Sequence, residues 1–270
     1  MSLFIIIASF LGGIVGALVG SVQACMLAGF IGIFMHCFPE IPLLSELLSA
    51  SFIPFISFGG GVAATAFASK IRKHQIGGSD IARSLAFSGD TLVLIVSGLF
   101  GVFGAVFAWG IGKIGVEGDG GALSLIASAI IIRLAFGDGV LINKDIKNIS
   151  KYKDGKKEWI FIIFFGACIG FMAGWLADKS GAAFLPFFIS LASLVFFFID
   201  ESFLASHHIT IIAGYAYLVT GNVVWATVWG LIASIVCTIV GDLFNANESS
   251  HFDPPATTIG ILSVIIYLIF

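Results

Sequence analysis

Charged residues are scarce in this chain, and their scarcity excludes an ordinary soluble domain. Asp, Glu, Lys and Arg make up 11% of the 270 residues, whereas a soluble domain carries about a quarter. Hydrophobic residues make up 59%, and the mean hydropathy is +1.09. Too few polar atoms remain to cover a water-exposed surface, so the sequence predicts an all-α integral membrane protein whose partner is the lipid bilayer. The net charge of −3 gives no sign of nucleic-acid binding.

Paired cysteines and catalytic motifs are also missing. Cys25, Cys37, Cys168 and Cys237 are scattered, without a C-x-x-C motif, so they indicate small buried residues and no redox centre. No Walker loop, dinucleotide fingerprint, H-E-x-x-H or G-x-S-x-G occurs. We therefore expect a protein that is not an enzyme, with its cofactor, if any, unknown. The opening "MSLFIIIASF" lacks a positive n-region and a cleavage site, so it is expected to form the first transmembrane helix.

The long apolar runs predict about ten transmembrane helices. A spanning helix needs about 20 apolar residues, or as few as about 17. The uncharged runs Leu3–Phe38 and His207–Gly241 are each too long for one helix, and we expect breaks at Gly20-Ser21 and at Thr220-Gly221-Asn222. The other predicted segments are 52–69, 91–111, 122–136, 159–177, 183–199 and 254–270.

Basic residues predict the orientation of these helices. Two loops, 70–90 and 138–158, hold 10 of the 13 Lys and Arg residues. The positive-inside rule places both loops in the cytoplasm and both termini outside. The chain is accordingly expected in a bacterial cytoplasmic (inner) membrane. Arg133, near the end of the fifth segment, is expected to snorkel towards the cytoplasmic interface.

The two halves of the sequence resemble each other. Four ungapped stretches of the second half match the first half in the same order. In the last pair, "DGGALSLIASAIIIRLAF" from Asp119 and "DPPATTIGILSVIIYLIF" from Asp253 are identical at 6 of 18 positions. Five segments per half is an odd number, so the second half enters the membrane from the opposite side. The sequence thus predicts two inverted five-helix repeats, 1–137 and 159–270, joined by a basic cytoplasmic linker, 138–158.

An inverted repeat is a recurring plan of transporters and some channels. We therefore expect a membrane transport protein that moves a small solute or ion through a cavity at the repeat interface. Four polar residues that open matching helices are expected to face this cavity, with simple helix capping as the competing interpretation. These residues are Asp90, Asp119, Asn222 and Asp253. Because the chain is small, a channel or a homo-oligomeric pore remains open beside a rocking transporter.

A triple glycine marks the third segment. It weakens a helix and exposes backbone carbonyls, so it indicates either a broken helix that lines a path or close packing through small residues. The matching segment in the second half is also short and polar at its start. The expected solute pathway is lined by Ser57, Gly59, Gly60, Gly61 and Thr65 from the first half, and by His208, Thr210, Gly214 and Tyr215 from the second.

Histidines provide an alternative from another class. The predicted topology places His207, His208 and His251 on the cytoplasmic face of the membrane together with Asp253. There they are weak candidates for metal ligands. That alternative is an intramembrane metal-dependent enzyme. A third interpretation is a membrane scaffold that transports nothing. No charge lies mid-segment, which favours a neutral solute, or an ion site built from backbone and hydroxyl groups.

Overall fold

A computed structural model describes residues 1–142, 156–200, 202–245 and 249–270. Helix accounts for 77% of it, and these residues contain no strand. The helices of the first half are α1 (Leu3–Val19), α2 (Ser21–Cys37), α3 (Pro42–Leu47), α4 (Pro54–Lys70), α5 (Thr91–Lys113) and α6 (Gly120–Phe136). Those of the second half are α7 (Lys156–Ser180), α8 (Leu185–Ala192), α9 (His207–Thr220), α10 (Val223–Phe244) and α11 (Pro254–Ile269). A π-helical turn, Leu48–Phe52, follows α3, and 3₁₀ turns cover Ala86–Ser88 and Ser193–Phe198.

Each predicted segment contains helix, and the chain breaks at both predicted positions. The chain bends by 119° between α1 and α2, at Gly20, whose φ of +102° is readily adopted only by glycine. The free N–H groups of Ser21 and Val22 then donate to the Ile81 carbonyl at 2.9 and 3.3 Å. A loop residue therefore satisfies the start of a helix that begins inside the protein.

Four helical segments are long and apolar enough to cross a membrane, which is compatible with a helical membrane protein. They are Pro42–Lys70, Thr91–Lys113, Lys157–Ser180 and Val223–Phe244, and the bent pair α1–α2 makes up to a fifth. The helices α6 and α11 have only 17 and 16 residues, or about 25 Å at 1.5 Å per residue. The hydrocarbon core is about 30 Å thick, so these helices are shorter than full spans.

The same pairs of helices are in contact in each half. In the first half, α1 packs against α4 and α5, and α6 packs against α4 and α5. In the second half, α7 packs against α9 and α10, and α11 packs against α9 and α10. Between the halves, α2 contacts α8, and α6 contacts α11. The main contacts between the halves are therefore made by helices in equivalent positions.

Small residues bring the helices of the first half close together. A Cβ atom on Gly60 of α4 would lie 2.6 Å from the Ser97 carbonyl oxygen and 2.7 Å from the Gly13 Cα. The Ser97 hydroxyl donates to the Gly13 carbonyl oxygen at 2.5 Å. Backbone therefore touches backbone where α1, α4 and α5 meet, which is the packing that small residues allow in membrane helices.

Two glycines of the same helix should respond in opposite ways to substitution by alanine. A Cβ atom on Gly101 would overlap the Ser9 carbonyl oxygen, whereas one on Gly112 meets nothing within 4 Å. We expect Gly101→Ala to lower the free energy of unfolding by about 1–3 kcal/mol through overpacking. Gly112→Ala should raise it by up to about 1 kcal/mol through helix propensity. Thermal unfolding in detergent measures both, and equal stability of the two variants would contradict the packing described.

Candidate functional site

A cavity of about 830 Å³ lies between the two halves. Its walls come mainly from α2, α4 and α6 of the first half and from α8, α9 and α11 of the second, and the loop 79–82 between α4 and α5 also lines it. Most ligand sites in proteins have volumes of about 300–1,000 Å³, so this cavity is large enough for a small organic molecule. The helices in the wall are the second, third and fifth predicted segments of each half.

Two aspartates at helix starts lie in the cavity wall. Asp119 precedes α6, and its Oδ1 accepts the Ala122 N–H at 2.8 Å. Asp253 precedes α11, and its Oδ2 accepts the Ala256 N–H at 2.8 Å. An aspartate N-cap satisfies one of the free N–H groups and interacts favourably with the positive end of the helix. The capping interpretation is therefore confirmed for both residues, and both also line the cavity.

The two aspartates have different second partners. The other carboxylate oxygen of Asp119 accepts the Tyr215 hydroxyl at 3.0 Å, and the Asp119 N–H donates to the Ser263 hydroxyl at 2.8 Å. At Asp253, the second oxygen lies 3.0 Å from Nε2 of His251. At one end of the site the Asp119 carboxylate is thus paired with the Tyr215 phenol. At the other end the Asp253 carboxylate is paired with the His251 imidazole.

The remainder of the wall is mainly aromatic and aliphatic. Phe184 packs edge-on against Tyr215, with the ring centroids 5.0 Å apart. Phe58 contacts His251 in the same way at 6.0 Å. The other apolar lining residues include Phe55, Leu125, Phe187, Phe188, Leu191, Ile211 and Ile259. The site is therefore a mainly apolar chamber with a carboxylate at each of two helix starts and a third carboxylate, the exposed Asp80, on the loop 79–82.

The distance between the two carboxylates follows from α11. Asp119 is hydrogen-bonded to Ser263, ten residues along the chain from Asp253. At 1.5 Å per helical residue, the two aspartates are about 15 Å apart. A small solute would therefore contact one of them at a time.

Arg133 holds the segment that leads to Asp253. Its side chain is fully buried, and its guanidinium donates to the carbonyl oxygens of Phe244 and Ser250, each at 2.6 Å. It also donates to the Ser250 hydroxyl at 3.0 Å. The prediction that Arg133 snorkels is wrong, because the end of α10 and the turn before α11 surround it with acceptors. A cation at a helix C-terminus is favourable, and the fork of donors fits several carbonyls at once.

The predicted pathway residues of α4 lie at helix contacts. The helix is continuous through Gly59–Gly61, so the triple glycine does not break it. Ser57 donates to the Phe52 carbonyl at 3.0 Å, and Thr65 donates to the Gly61 carbonyl at 3.0 Å. Gly60 contacts α1 and α5, and Gly61 contacts Ser21 of α2. Gly59 borders a second, much smaller pocket beside Asp253.

Of the predicted pathway residues of α9, the structure brings Tyr215 to the large cavity. His208 is buried in the protein interior. Thr210 lies 2.7 Å from the Ser190 hydroxyl, and a Cβ atom on Gly214 would overlap the Ala183 carbonyl oxygen. These three residues therefore pack α9 against its neighbours and do not line the chamber.

The other two predicted helix starts lie away from the cavity. Asp90 caps α5 through the Leu92 N–H at 3.0 Å and contacts Arg72 and His74 at 2.6 and 3.1 Å. The hydrogen bond from the Arg72 guanidinium, helped by His74, lowers the pKa of Asp90 to about 2. Asn222 caps α10 through the Val224 N–H at 2.7 Å. Both residues cap their helices as predicted.

The histidine cluster does not form a set of metal ligands in the described part of the chain. His207, His251 and Asp253 line the cavity, while His208 lies behind them. Among the described residues, no group of three or more His, Cys, Asp or Glu side chains is arranged to hold a metal ion. His251 and Asp253 therefore form a hydrogen-bonded pair at the start of α11.

The aromatic wall was missed by reasoning from the sequence. Phe55, Phe184 and Phe187 lie in apolar runs and are three of 28 phenylalanines. Their neighbours in the sequence do not distinguish a phenylalanine in a cavity wall from one that faces lipid. Pro54 and Pro255, which open α4 and α11, also line the cavity. Their positions at helix starts are the one sequence signal that could have indicated these neighbours.

In the part of the chain that the structure describes, the protein is thus all-helical, with four helical segments, or five with the bent pair α1–α2, able to cross a membrane by length and composition. A family model described as a family of unknown function (DUF7973) matches the chain over residues 48–158 and 148–270. Since these matches cover most of the chain, the protein belongs to this family. No curated protein and no solved structure gives a significant match.

Loss of the Arg133 guanidinium should destabilise the protein. In Arg133→Met, the Phe244 and Ser250 carbonyls lose their donors, and each unsatisfied buried group costs about 1–3 kcal/mol. We expect a clear drop in the thermal unfolding temperature in detergent. Arg83→Met is the control, because that arginine is exposed and donates to a single carbonyl, that of Gln75. A drop as large in the control would contradict a special role for Arg133.

Proposed function

We propose that this protein is a membrane transport protein that moves a small solute or ion through the cavity between its two halves. The observation that carries the proposal is the chamber of about 830 Å³ lined by three equivalent helices from each half. A solute site at the interface of two repeats, approached by helix N-termini, is the arrangement that inverted-repeat transporters use.

The two halves are proposed to be copies of one five-helix unit. The turn before α5, Ser88-Gly89-Asp90, and the turn before α10, Thr220-Gly221-Asn222, support this. Gly89 and Gly221 have φ angles of +57° and +61°. In both turns the N–H of the capping residue donates to the hydroxyl two residues earlier at 3.2 Å. Two unrelated helix starts would rarely share the glycine conformation, the cap and the hydroxyl together.

Glycine contacts support the same duplication. When the stretch from Phe4 is aligned with that from Phe161, Gly13 matches Gly170, and when the stretch from Ser88 is aligned with that from Thr220, Gly98 matches Gly230. A Cβ atom on Gly13 would lie 3.1 Å from the Gly98 Cα, and one on Gly170 would lie 3.1 Å from the Gly230 Cα. Residues paired by the alignment therefore make the same close helix contact in each half.

An inverted arrangement of these copies in the membrane follows from the charge bias. Ten segments place both termini outside and the basic loops 70–90 and 138–158 in the cytoplasm of a bacterial inner membrane. In this topology α6 and α11 begin on opposite sides. Because both helices are short, their N-terminal ends and the aspartate caps are recessed towards the cavity.

Movement between the halves would give the solute access to each side in turn. Close glycine contacts occur within each half and also along α2–α8, where a Cβ atom on Gly29 would overlap the Ala192 backbone. The halves also meet along α6–α11. We infer that each half moves as a unit and that the contacts between halves rearrange. A relative tilt would open one end of the chamber at a time, as in alternating access.

Filling the cavity should stop transport. Ala205 lines the chamber, whereas its neighbour Leu204 is exposed and 39% accessible. We expect Ala205→Trp to lower the uptake rate at least about tenfold, because an indole ring would occupy the path, whereas Leu204→Trp should stay within about twofold of the unsubstituted protein. Uptake is measured in proteoliposomes with radiolabelled amines, amino acids, sugars, carboxylates and inorganic ions.

Protein-free liposomes provide the background for this experiment. Equal uptake by the two tryptophan variants would argue against this cavity as the path. Background uptake for every solute with the unsubstituted protein would favour the scaffold interpretation over transport.

The proposed topology makes a separate prediction. Reporter domains fused at Lys153 and after Phe270 should report opposite sides of the membrane, since an odd number of segments separates the two positions. Compartment-specific reporters, such as alkaline phosphatase and green fluorescent protein, measure this directly. The same side for both positions would contradict the inverted five-plus-five arrangement and leave the cavity without its proposed two-sided access.

A further inference from the structure

We propose that the cavity binds an organic cation, with the cationic nitrogen of the solute at the Asp119 carboxylate and its apolar body along the aromatic wall. This assignment deepens the proposed function, since it names the solute class for the same cavity. The inference rests on the proposed transport function only for the claim that the cation crosses the membrane. Binding itself can be measured without transport.

The Asp119 carboxylate is hydrogen-bonded but has no cationic partner in the described part of the chain. Its carboxylate accepts two neutral donors, the Ala122 N–H and the Tyr215 hydroxyl. Among the described residues, no Lys, Arg or His side chain forms an ion pair with it. An ionised carboxylate has about four acceptor positions, so Asp119 can accept further donors. A cationic solute would provide the missing charge.

Burial raises the pKa of the Asp119 carboxyl, and the start of α6 acts in the opposite direction. The carboxylate lies at the positive end of the helix and accepts an N–H group of the first turn, and both interactions favour a negative charge. Asp253 differs, because His251 lies against it and can supply a positive charge when protonated. The Asp119 end of the cavity is therefore the better site for a cation from outside the protein.

Aromatic rings surround the Asp119 end. A Cβ atom on Gly121 would overlap the Phe55 ring and would lie 3.2 Å from Asp119 Oδ1, so this ring and the carboxylate are close neighbours. Tyr215 is bonded to the other oxygen, and Phe184 packs on Tyr215. A cation within about 6 Å of an aromatic centroid gains a cation–π interaction. These rings would also cover the apolar body of an amine.

The same surroundings argue for an organic cation over an inorganic one. Hard metal cations take about six or more oxygen ligands. Asp119 is hydrogen-bonded to the hydroxyls of Tyr215 and Ser263, and Phe55 and Phe184 lie beside it and Tyr215. An ammonium group needs few acceptors and carries its apolar part with it. The volume of about 830 Å³ would accept such a molecule without its water shell.

Three probes that differ only in their head group test this proposal. They are 4-phenylbutylamine, 4-phenylbutanol and 5-phenylpentanoate, which share a phenyl ring on a four-methylene chain. Calorimetry on the purified protein in detergent measures their binding, with empty micelles as reference. We expect the ammonium form of the amine to bind at least tenfold more tightly than the alcohol, and the carboxylate to bind most weakly. Equal affinities for the amine and the alcohol would overturn the proposal.

A charge-removing variant locates the site. Asparagine is as good a helix cap as aspartate, so Asp119→Asn removes the charge and keeps the cap. The affinity for the amine should fall at least tenfold, to that for the alcohol, while the affinity for the alcohol stays the same. Asp90→Asn is the matched control at a helix cap outside the cavity, and it should change neither. Unchanged amine binding in Asp119→Asn would overturn the assignment.

The outcomes separate this inference from the proposed function. Charge-selective binding that depends on Asp119 but gives no uptake would contradict transport and leave the binding site standing. Uptake of another solute without any amine preference would support transport and refute the cation site. If Asp119→Asn does not fold, the three probes on the unsubstituted protein still decide the question of charge.

Discussion

The structure depends on satisfying helices that begin inside the protein. The first N–H groups of a helix have no partner within it, and away from water each must find one in the protein. Asp119 and Asp253 meet this need at the starts of α6 and α11 with the same geometry, an acceptor 2.8 Å from the N–H three residues later. Since these helices also contact each other, the two caps lie on the wall of one cavity. The need for helix caps thereby places two carboxylates in the wall of a mainly apolar chamber.

Small and large side chains have different roles in the rest of the structure. Glycine and serine draw α1, α4 and α5 into backbone contact, and Gly166, Gly170 and Gly230 do the same for α7 and α10. Phenylalanine and leucine side chains line much of the chamber between the halves. Close contacts also join the halves beside the chamber, since a Cβ atom on Gly29 of α2 would overlap the Ala192 backbone in α8. The proposed movement of the halves around a solute therefore requires this α2–α8 contact to slide or separate.

The helix starts could be predicted because capping is local. An aspartate or asparagine cap depends on residues within one turn of it. The sequence alone was therefore enough to recognise the four caps, Asp90, Asp119, Asn222 and Asp253. The triple glycine could not be interpreted in this way, because small residues serve both broken helices and close packing. Its role became clear only once α1 and α5 lay against it. For the same reason most of the predicted pathway in α4 and α9 proved to be helix contact, with Tyr215 the residue of that set in the chamber.

Sequence alone determines the helical class, the breaks at Gly20 and at residues 220–222, the capped helix starts and the apolar surface, since each follows from composition or from neighbours along the chain. Tertiary structure alone decides which caps share a cavity. Asp119 and Asp253 meet in one wall because α6 crosses α11, while Asp90 and Asn222, with equivalent local chemistry, lie elsewhere. It also decides that Arg133 is fully buried, because its acceptors come from residues more than 100 positions away. The phenylalanines of the chamber depend on the same long-range packing, since an apolar side chain carries no local signal of whether it will face lipid, core or cavity.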